Sequence, residues 1–524
     1  MKHVFFSCSI LVLLLFHTTV FGQTDSIIYS VKVAEKETWW LGIVNHGNVM
    51  PIENGYRADL NNNLYGNQAQ PLLLSNKGNV IWSEEPFVVK RINDEITIKK
   101  PTGKFVVVAA GKTLKEAYLY ASKNFFPPSG KSPHPFLFSR PQYNTWIELL
   151  YNQNQEDVLK YAKGIVDNGF PPGVIMIDDN WQEDYGTWKF HPGRFPNAVA
   201  TIDKLHQMGF SVMLWVCPFI SPDSETFRKL QQHDLLIKDE KGNPKMVSWW
   251  NGYSAVLDLT DPNAVKWFND ELKGLMTTHH IDGYKFDAGD PEFYVGAHGD
   301  KDVSPNEHAE LFNRFGVDYA FNEYRATWKM GGQPLAQRLR DKGHSWNDLQ
   351  LLIPDILLQG IIGYPFTCPD MIGGGEMGSF LNTEKINQDL IVRSAQVHAF
   401  MPMMQFSVAP WRVLDAQHLD AVKKSVELRS TYLKEIEQLT QHAAATGEPI
   451  VRMMEYEFPN QGFEKINDQF LLGGNILVAP ILSENTSRTV VLPKGKWKNM
   501  LTGKTVKGPA RIQVTAKLYE LPYF

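Results

Sequence analysis

Apolar and polar positions alternate with a period of two from residue 24 to about 110, as in Ile28-Tyr29-Ser30-Val31-Lys32-Val33 and Lys104-Phe105-Val106-Val107-Val108. Turn formers such as Asn45-His46-Gly47 and Asn76-Lys77-Gly78 separate the runs, so this stretch is expected to be an all-β domain. TLKEAYLYASKNFF (113–126) has helical spacing, and PPSGKSPHP (127–135) is a Pro/Gly/Ser linker. Beyond it the rhythm becomes strand, loop, helix, repeated. The strands expected are TWIEL (145–149), VIMID (174–178), SVMLWV (211–216), AVLDL (255–259), GYKFD (283–287), PLAQRL (334–339), YPFTCPD (364–370) and MPMMQFS (401–407). Helices are expected near 155–168 and 197–208, each stopped by glycine, from the capped TDPNAVKWFNDELKGLM, and from a long segment at about 418–443. Eight such alternations predict an α/β fold, a (β/α)8 TIM barrel. From about 464 the chain returns to short strands, which predicts a small terminal β-sandwich. The expected layout is an N-terminal β-sandwich and linker over 23–135, the barrel over 136–460 and the C-terminal β-sandwich over 461–524.

The first residues change the picture of destination. Lys2 and His3 precede the apolar run Ile10–Phe16, and Val20-Phe21-Gly22 ends in a small residue. That is the layout of a secretory signal peptide over 1–22, and the run is too short to span a bilayer. An exported, periplasmic or secreted protein with no membrane contact after cleavage is expected. Composition adds less. Of 524 residues, 43% are hydrophobic and 21% charged, which is ordinary for a globular protein. A net charge of −5 with no basic stripe argues against nucleic acid as a partner and suits a neutral substrate. Two cysteines beyond the leader, Cys217 and Cys368, do not make a disulfide framework; they could pair or line a pocket.

The polar residues fall at strand ends: Asp178-Asp179, Trp215, Asp258, Lys285 with Asp287, Arg338 with Asp341, Asp370, and Gln405 with Ser407. Barrel active sites are assembled at that face. A single strand-end aspartate can simply cap the next helix, but five acidic ends with a lysine and a tryptophan among them need more. Convergent carboxylates serve either divalent metal binding or glycosidic cleavage. No His-x-His or His-x-x-x-His pair lies at a strand end, so the expectation is cleavage by a nucleophile and an acid with no metal and no cofactor. Lys285, two residues before Asp287, is expected to lower the aspartate's pKa and to donate to a sugar hydroxyl.

These motifs together resemble glycoside hydrolase family 31, retaining α-glycosidases, from the N-terminal β domain to DQFLLGGNILVAPIL (468–482). The resemblance implies Asp287 as nucleophile in GYKFDAGD, with Lys285 contacting the sugar. It implies Asp178 and Asp179 in VIMIDDNW and Trp215 in MLWVCPF as substrate contacts. Asp341 would be the acid/base, sixteen residues after the subsite arginine Arg325; His344 stands where the family has serine. Arg338 and Asp370 complete the implied substrate set. Within the family, IDDNW, LWVCPF, KFDAGD and MPMMQFSVAPWR are most similar to the branch holding the myogenesis-regulating glycosidase and bacterial α-galactosidases. Gln405-Phe406-Ser407 replaces the Arg-x-His of the family's α-glucosidases, which implies a sugar differing at C4. An exo-acting α-galactosidase working on oligosaccharides or glycoconjugates is therefore expected. An α-glucosidase or α-xylosidase, a metal-dependent hydrolase, and a non-catalytic carbohydrate-binding barrel are the other readings.

Overall fold

The computed structural model describes residues 28–99, 103–382, 384 and 386–524; the expected leader lies outside them. Eight short parallel strands form the central sheet: β1 (Gln142–Asn144), β2 (Val174–Ile177), β3 (Ser211–Val216), β4 (Gly283–Phe286), β5 (Phe321–Tyr324), β6 (Gln337–Arg338), β7 (Thr367–Cys368) and β8 (Gln405–Phe406). They pair in sequence order from β1 to β7, and β8 returns to pair with β1. The Met403 N–H donates to the Thr367 carbonyl (3.2 Å), joining the β7 and β8 sides and closing the barrel. Its walls are dry: Ile175, Met176, Val212, Leu214 and Phe286 are fully buried. Helices Gln155–Asp167, Ala198–Gln207, Pro262–His279, Pro305–Arg314, Trp346–Ile361 and Gln388–Ala399 cross between strands, several fixed by side-chain caps from Asn154, Asp261, Ser304 and Ser345.

Three expectations are corrected. AVLDL is not a barrel strand. Its first residues end Gly252–Val256, which pairs antiparallel with Phe219–Ile220 and Met246–Trp249 in a sheet inserted between β3 and β4. Asp258 therefore leaves the mouth of the barrel, and instead accepts from the Thr260 N–H (3.0 Å) and hydroxyl (2.5 Å) and the Asp300 N–H (2.6 Å), tying two loops. TWIEL is likewise not β1. The Asn144 side chain accepts from the Trp146 N–H (2.8 Å) and turns the chain into a single helical turn, Trp146–Leu149. The long closing helix is two, Ala416–Thr431 and Leu433–Thr446. The fifth strand, Phe321–Tyr324, was not anticipated.

The N-terminal region forms two antiparallel sheets, one of Ile28–Lys32, Glu95–Lys99, Val88–Ile92 and Arg57–Asp59, the other around Gln68–Ser75. Gln68 and Ala69 also pair in parallel with Thr327 and Trp328, a short strand after β5, so barrel and β domain share a sheet. At the C-terminus a long hairpin, Ser487–Lys498 with Thr505–Thr515, packs Val490, Leu492, Trp497 and Val514 on Leu471 and Leu477.

Candidate active site

Parallel register sets Trp215 of β3, Lys285 of β4 and Glu323 of β5 side by side on one row, all three buried. In-register neighbours in a sheet share a face, so the row projects into the barrel. Asp287 follows directly after β4 and is held from two sides. Its Oδ2 accepts from Trp215 Nε1 (3.1 Å), and its Oδ1 accepts from Arg325 Nε (3.0 Å) and the Ala288 N–H (2.8 Å). Burial pushes its carboxyl up, but Arg325, then Lys285 and Arg338, outweigh burial and hold it well below the usual carboxylate range. Arg325 is itself fixed by a bidentate pair with Asp290 (3.1 and 2.5 Å) and by the Gly66 carbonyl of the N-terminal domain (2.8 Å).

Lys285 helps to lower the Asp287 pKa, as expected, but makes its direct contact elsewhere. Lys285 Nζ sits 2.7 Å from Asp178 Oδ2, both buried, and acts on Asp287 only through its field. Asp179, next along, accepts from the Tyr185 hydroxyl (2.6 Å), Gln182 Nε2 (3.1 Å) and the Asn180 N–H (2.7 Å). Burial nevertheless pushes its pKa up to about 7.

Across the mouth, Arg338 is almost wholly buried and gathers three carboxylates. It lies 2.7 Å from Asp341 Oδ1, 2.7 Å from Asp370 Oδ1 and 3.3 Å from Glu323 Oε1. Asp370 also accepts from the Lys342 N–H (2.8 Å), and burial raises its pKa to about 7 against the pull of Arg338. The Asp341 side chain is 42% exposed, the only one of the three that meets solvent. Its loop is pinned by His344, whose Nδ1 donates to the Gly373 carbonyl (2.8 Å) while Nε2 accepts from the Asn387 N–H (2.9 Å). One donor and one acceptor fix a neutral imidazole, consistent with the lowering of its pKa by burial. The histidine thus ties the loop to its neighbours. Asp348 is a capping residue: its N–H and carboxylate both bond the Ser345 hydroxyl (3.1 and 2.7 Å) at the start of Trp346–Ile361.

The sequence-expected residues Asp178, Asp179, Trp215, Lys285, Asp287, Arg325, Arg338, Asp341 and Asp370 are thus linked at one end of the barrel. Gln405 and Ser407 are fully buried. Gln405 Nε2 donates to Gln142 and Glu323 (2.7 Å each), and the Ser407 hydroxyl accepts from the Ile147 N–H (2.7 Å). Residues not anticipated are Glu323, Asp290 as the partner of Arg325, and Tyr185; Asp290 alone carried a signal, in its spacing after Asp287. Among the described residues no group of three or more His, Cys, Asp or Glu is placed to share a metal ion. Cys217 and Cys368 are separate buried free thiols.

Asp179 offers a stability test. A carboxyl raised to about 7 when folded keeps its proton there up to neutrality, whereas the unfolded chain gives it up near pH 4. Its contribution is therefore fully present below about pH 4 and is lost as pH rises to 7 and beyond. Asp179→Asn should raise the melting temperature at pH 8, by the equivalent of about 1–4 kcal/mol, and change little at pH 4. Thermal denaturation at the two pH values checks this, and equal shifts at both would contradict it.

Fold and site together define a paired-carboxylate (β/α)8 barrel. Residues 135–438 match the glycosyl hydrolases family 31 TIM-barrel domain, and residues 447–524 match the glycosyl hydrolase family 31 C-terminal domain. The chain belongs to glycoside hydrolase family 31. It is 32% identical over 409 residues to the myogenesis-regulating glycosidase of Mus musculus, covering 75% of this chain and 57% of that protein. It is 28% identical over 406 residues to alpha-glucosidase 2 of Bacillus thermoamyloliquefaciens, covering 71% and 50%. The chain thus spans about half the length of these curated relatives. A solved structure of a Flavobacterium johnsoniae family 31 dextranase complexed with glucose superimposes with a TM-score of 0.83 at 20% identity, covering 95% of this chain and 66% of that one.

Proposed function

We propose that this chain is an exo-acting retaining α-glycosidase with α-galactosides as its preferred substrates, exported through the leader at residues 1–22. The observation that carries the reading is Asp287, kept ionised by Arg325 and oriented through both oxygens, as a carboxylate nucleophile must be. In the first step Asp287 attacks the anomeric carbon and Asp341 gives its proton to the departing oxygen. In the second, water attacks the glycosyl-enzyme with Asp341 as base, so configuration is retained. The Lys285–Asp178 pair presents a cation and an anion to the hydroxyls of the bound sugar, Asp179 adds a second oxygen group, and Trp215 walls the ring. The work is done by side chains alone.

The galactose preference rests on the family resemblance and on β8. Its Gln405-Phe406-Ser407 has no arginine or histidine to offer a glucose-type hydroxyl, and both polar side chains are engaged within the barrel. Similarity to α-glucosidase and α-xylosidase relatives favours those sugars as the second reading. A site built for one hydroxyl geometry discriminates by as much as ~10⁴-fold, because the wrong epimer leaves buried polar groups unpaired. With p-nitrophenyl α-galactoside, α-glucoside and α-xyloside at one enzyme concentration, the galactoside should show the highest kcat/KM. Comparable values for galactoside and glucoside would refute the preference, and no turnover of any would support a binding barrel instead. Full activity after chelation is expected; loss restored by a divalent cation would favour a metal-dependent hydrolase.

A further inference from the structure

The C-terminal hairpin, Ser487–Lys498 with Thr505–Thr515, carries a charge pattern that the barrel site does not use. Between Thr489 and Ala516 there are six cations, Lys494, Lys496, Lys498, Lys504, Lys507 and Arg511, and no carboxylate, in a chain whose net charge is −5. They stand singly in the sequence, and strand pairing gathers them. Residues two apart on a strand share a face, so Lys494, Lys496 and Lys498 lie on one side of their strand, and Lys507 and Arg511 on one side of the other. Trp497, between two of these lysines, is buried on the inner face, which sets the lysines outward. Lys496 pairs directly with Lys507, so both sets belong to the same outer face, and all five side chains are exposed. Lys504 adds a sixth charge at the turn.

Several exposed lysines elsewhere are paired along their helices, Lys163 with Asp167, Lys229 with Glu225, Lys266 with Asp270 and Lys424 with Asp420. Among the described residues none of the six hairpin cations has a carboxylate within ion-pair distance. The Lys496–Lys507 pair goes further, since like charges directly opposite each other across a β-pair are destabilising. Any polar side chains would keep that face wet, so the hairpin accepts a repulsion that its folding does not need. Among the described residues, no hydrogen bond or ion pair of 489–516 reaches Asp287, Asp341 or the groups around them. The stripe stands apart from the barrel site.

Two strands make the stripe about 20 Å long and about 5 Å wide. Neighbouring charges on it stand closer than the ~8 Å screening length of physiological salt, so a polyanion meets them together. A narrow, straight row fits a linear polymer laid along it better than a planar membrane, and Met500 at the turn is its one exposed large apolar side chain. Five of the six cations are lysines, without the flat fork that arginine brings to phosphate groups. Trp497, the one aromatic residue of the segment, is turned inward and offers no ring to a nucleic-acid base. We propose that the outer face of this hairpin is a docking surface for an acidic polysaccharide, a linear glycan bearing carboxylate or sulfate groups. It holds the chain on a polyanionic matrix while the barrel works on its own substrate. This goes beyond the glycosidase reading and does not depend on it.

The test is binding of the purified protein to polygalacturonate, to its uncharged methyl ester and to heparin, read by affinity electrophoresis. At least one of the two polyanions should bind and be released as NaCl rises from about 50 to about 500 mM. Retention by polygalacturonate alone assigns carboxylates, and by heparin alone sulfates. Lys496→Glu/Lys498→Glu should weaken that binding roughly tenfold or more. It should not lower the melting temperature, because the first change sets a carboxylate opposite Lys507. Lys496→Gln/Lys498→Gln should bind between the parent and the charge reversal. Lys229→Glu/Lys266→Glu, the same change of net charge on two helices elsewhere, should leave binding within about twofold. So should kcat/KM of the hairpin variant on whichever p-nitrophenyl α-glycoside the parent cleaves, and binding reads the proposal even if it cleaves none. No binding to either polyanion, equal binding of the methyl ester, equal losses in the two charge reversals, or a parallel fall in kcat/KM would overturn the docking face. Tighter binding to a DNA duplex, or to phosphatidylcholine vesicles containing phosphatidylglycerol, would overturn it in favour of that partner.

Discussion

Replacing Asp287 by alanine should lower kcat/KM on an α-glycoside by roughly 10⁵-fold, since water cannot match a carboxylate held at high effective molarity. The fold should survive. Arg325 keeps its bidentate pair with Asp290 and its bond to Gly66, so no buried cation is stranded; Arg325 Nε, the Trp215 indole N–H and the Ala288 N–H lose the Asp287 acceptor. A melting temperature near that of the parent, with activity abolished, is the expected pair of results. In the parent, NMR should show the α-anomer as the first product. A β-anomer would mean inversion and a different role for Asp287.

The second large effect belongs to Asp341. A general acid matters in proportion to how badly the leaving group needs a proton and contributes about 10²–10⁴-fold for ordinary alcohols. Asp341→Ala should therefore lose most activity on a disaccharide but much less in forming the glycosyl-enzyme from a glycosyl fluoride or dinitrophenyl glycoside. The second step, now without its base, should be rescued by azide with formation of an α-glycosyl azide. Equal impairment on all leaving groups, with no azide product, would remove Asp341 from the role. Asp348, the nearest other carboxylate in the sequence, is occupied in capping its helix.

Which parts of this could be read along the chain follows from where each segment's partners lie. Val174–Ile177, Ser211–Val216 and Gly283–Phe286 are apolar enough to declare themselves as buried strands. Ala255-Val256-Leu257 is equally apolar and equally buried, yet sits in the inserted sheet, because local pattern carries no record of which sheet a strand joins. Phe321–Tyr324 failed for the opposite reason. Asn322 and Glu323 make it look like a loop, but Asn322 Nδ2 bonds the carbonyls of Tyr319 and Pro334 (2.8 and 3.0 Å) and Glu323 meets Arg338 inside the barrel. The site was more legible than the fold around it, since short motifs fix the identity and order of its residues. The wiring was not: nothing in Lys285-Phe286-Asp287 reveals that the lysine reaches across to Asp178, two strands away.

The sheet shared by the β domain and the barrel sets an order on synthesis. Gln68 donates through Nε2 to the carbonyls of Arg325 (2.6 Å) and Arg338 (2.9 Å), 257 and 270 residues later, and Gln68-Ala69 pairs with Thr327-Trp328. At about 5–20 residues per second, the ribosome delivers that partner tens of seconds after the β domain has emerged. Until then the end of a buried strand stands open, with its amide side chain unmatched and its edge free to pair with another nascent chain. Arg325 and Arg338, which hold Asp287, Asp341 and Asp370, are thus seated late, by contacts that join an earlier part of the chain to one made long afterwards. Slower synthesis at low temperature or a holding chaperone would act on that interval, not on the finished fold.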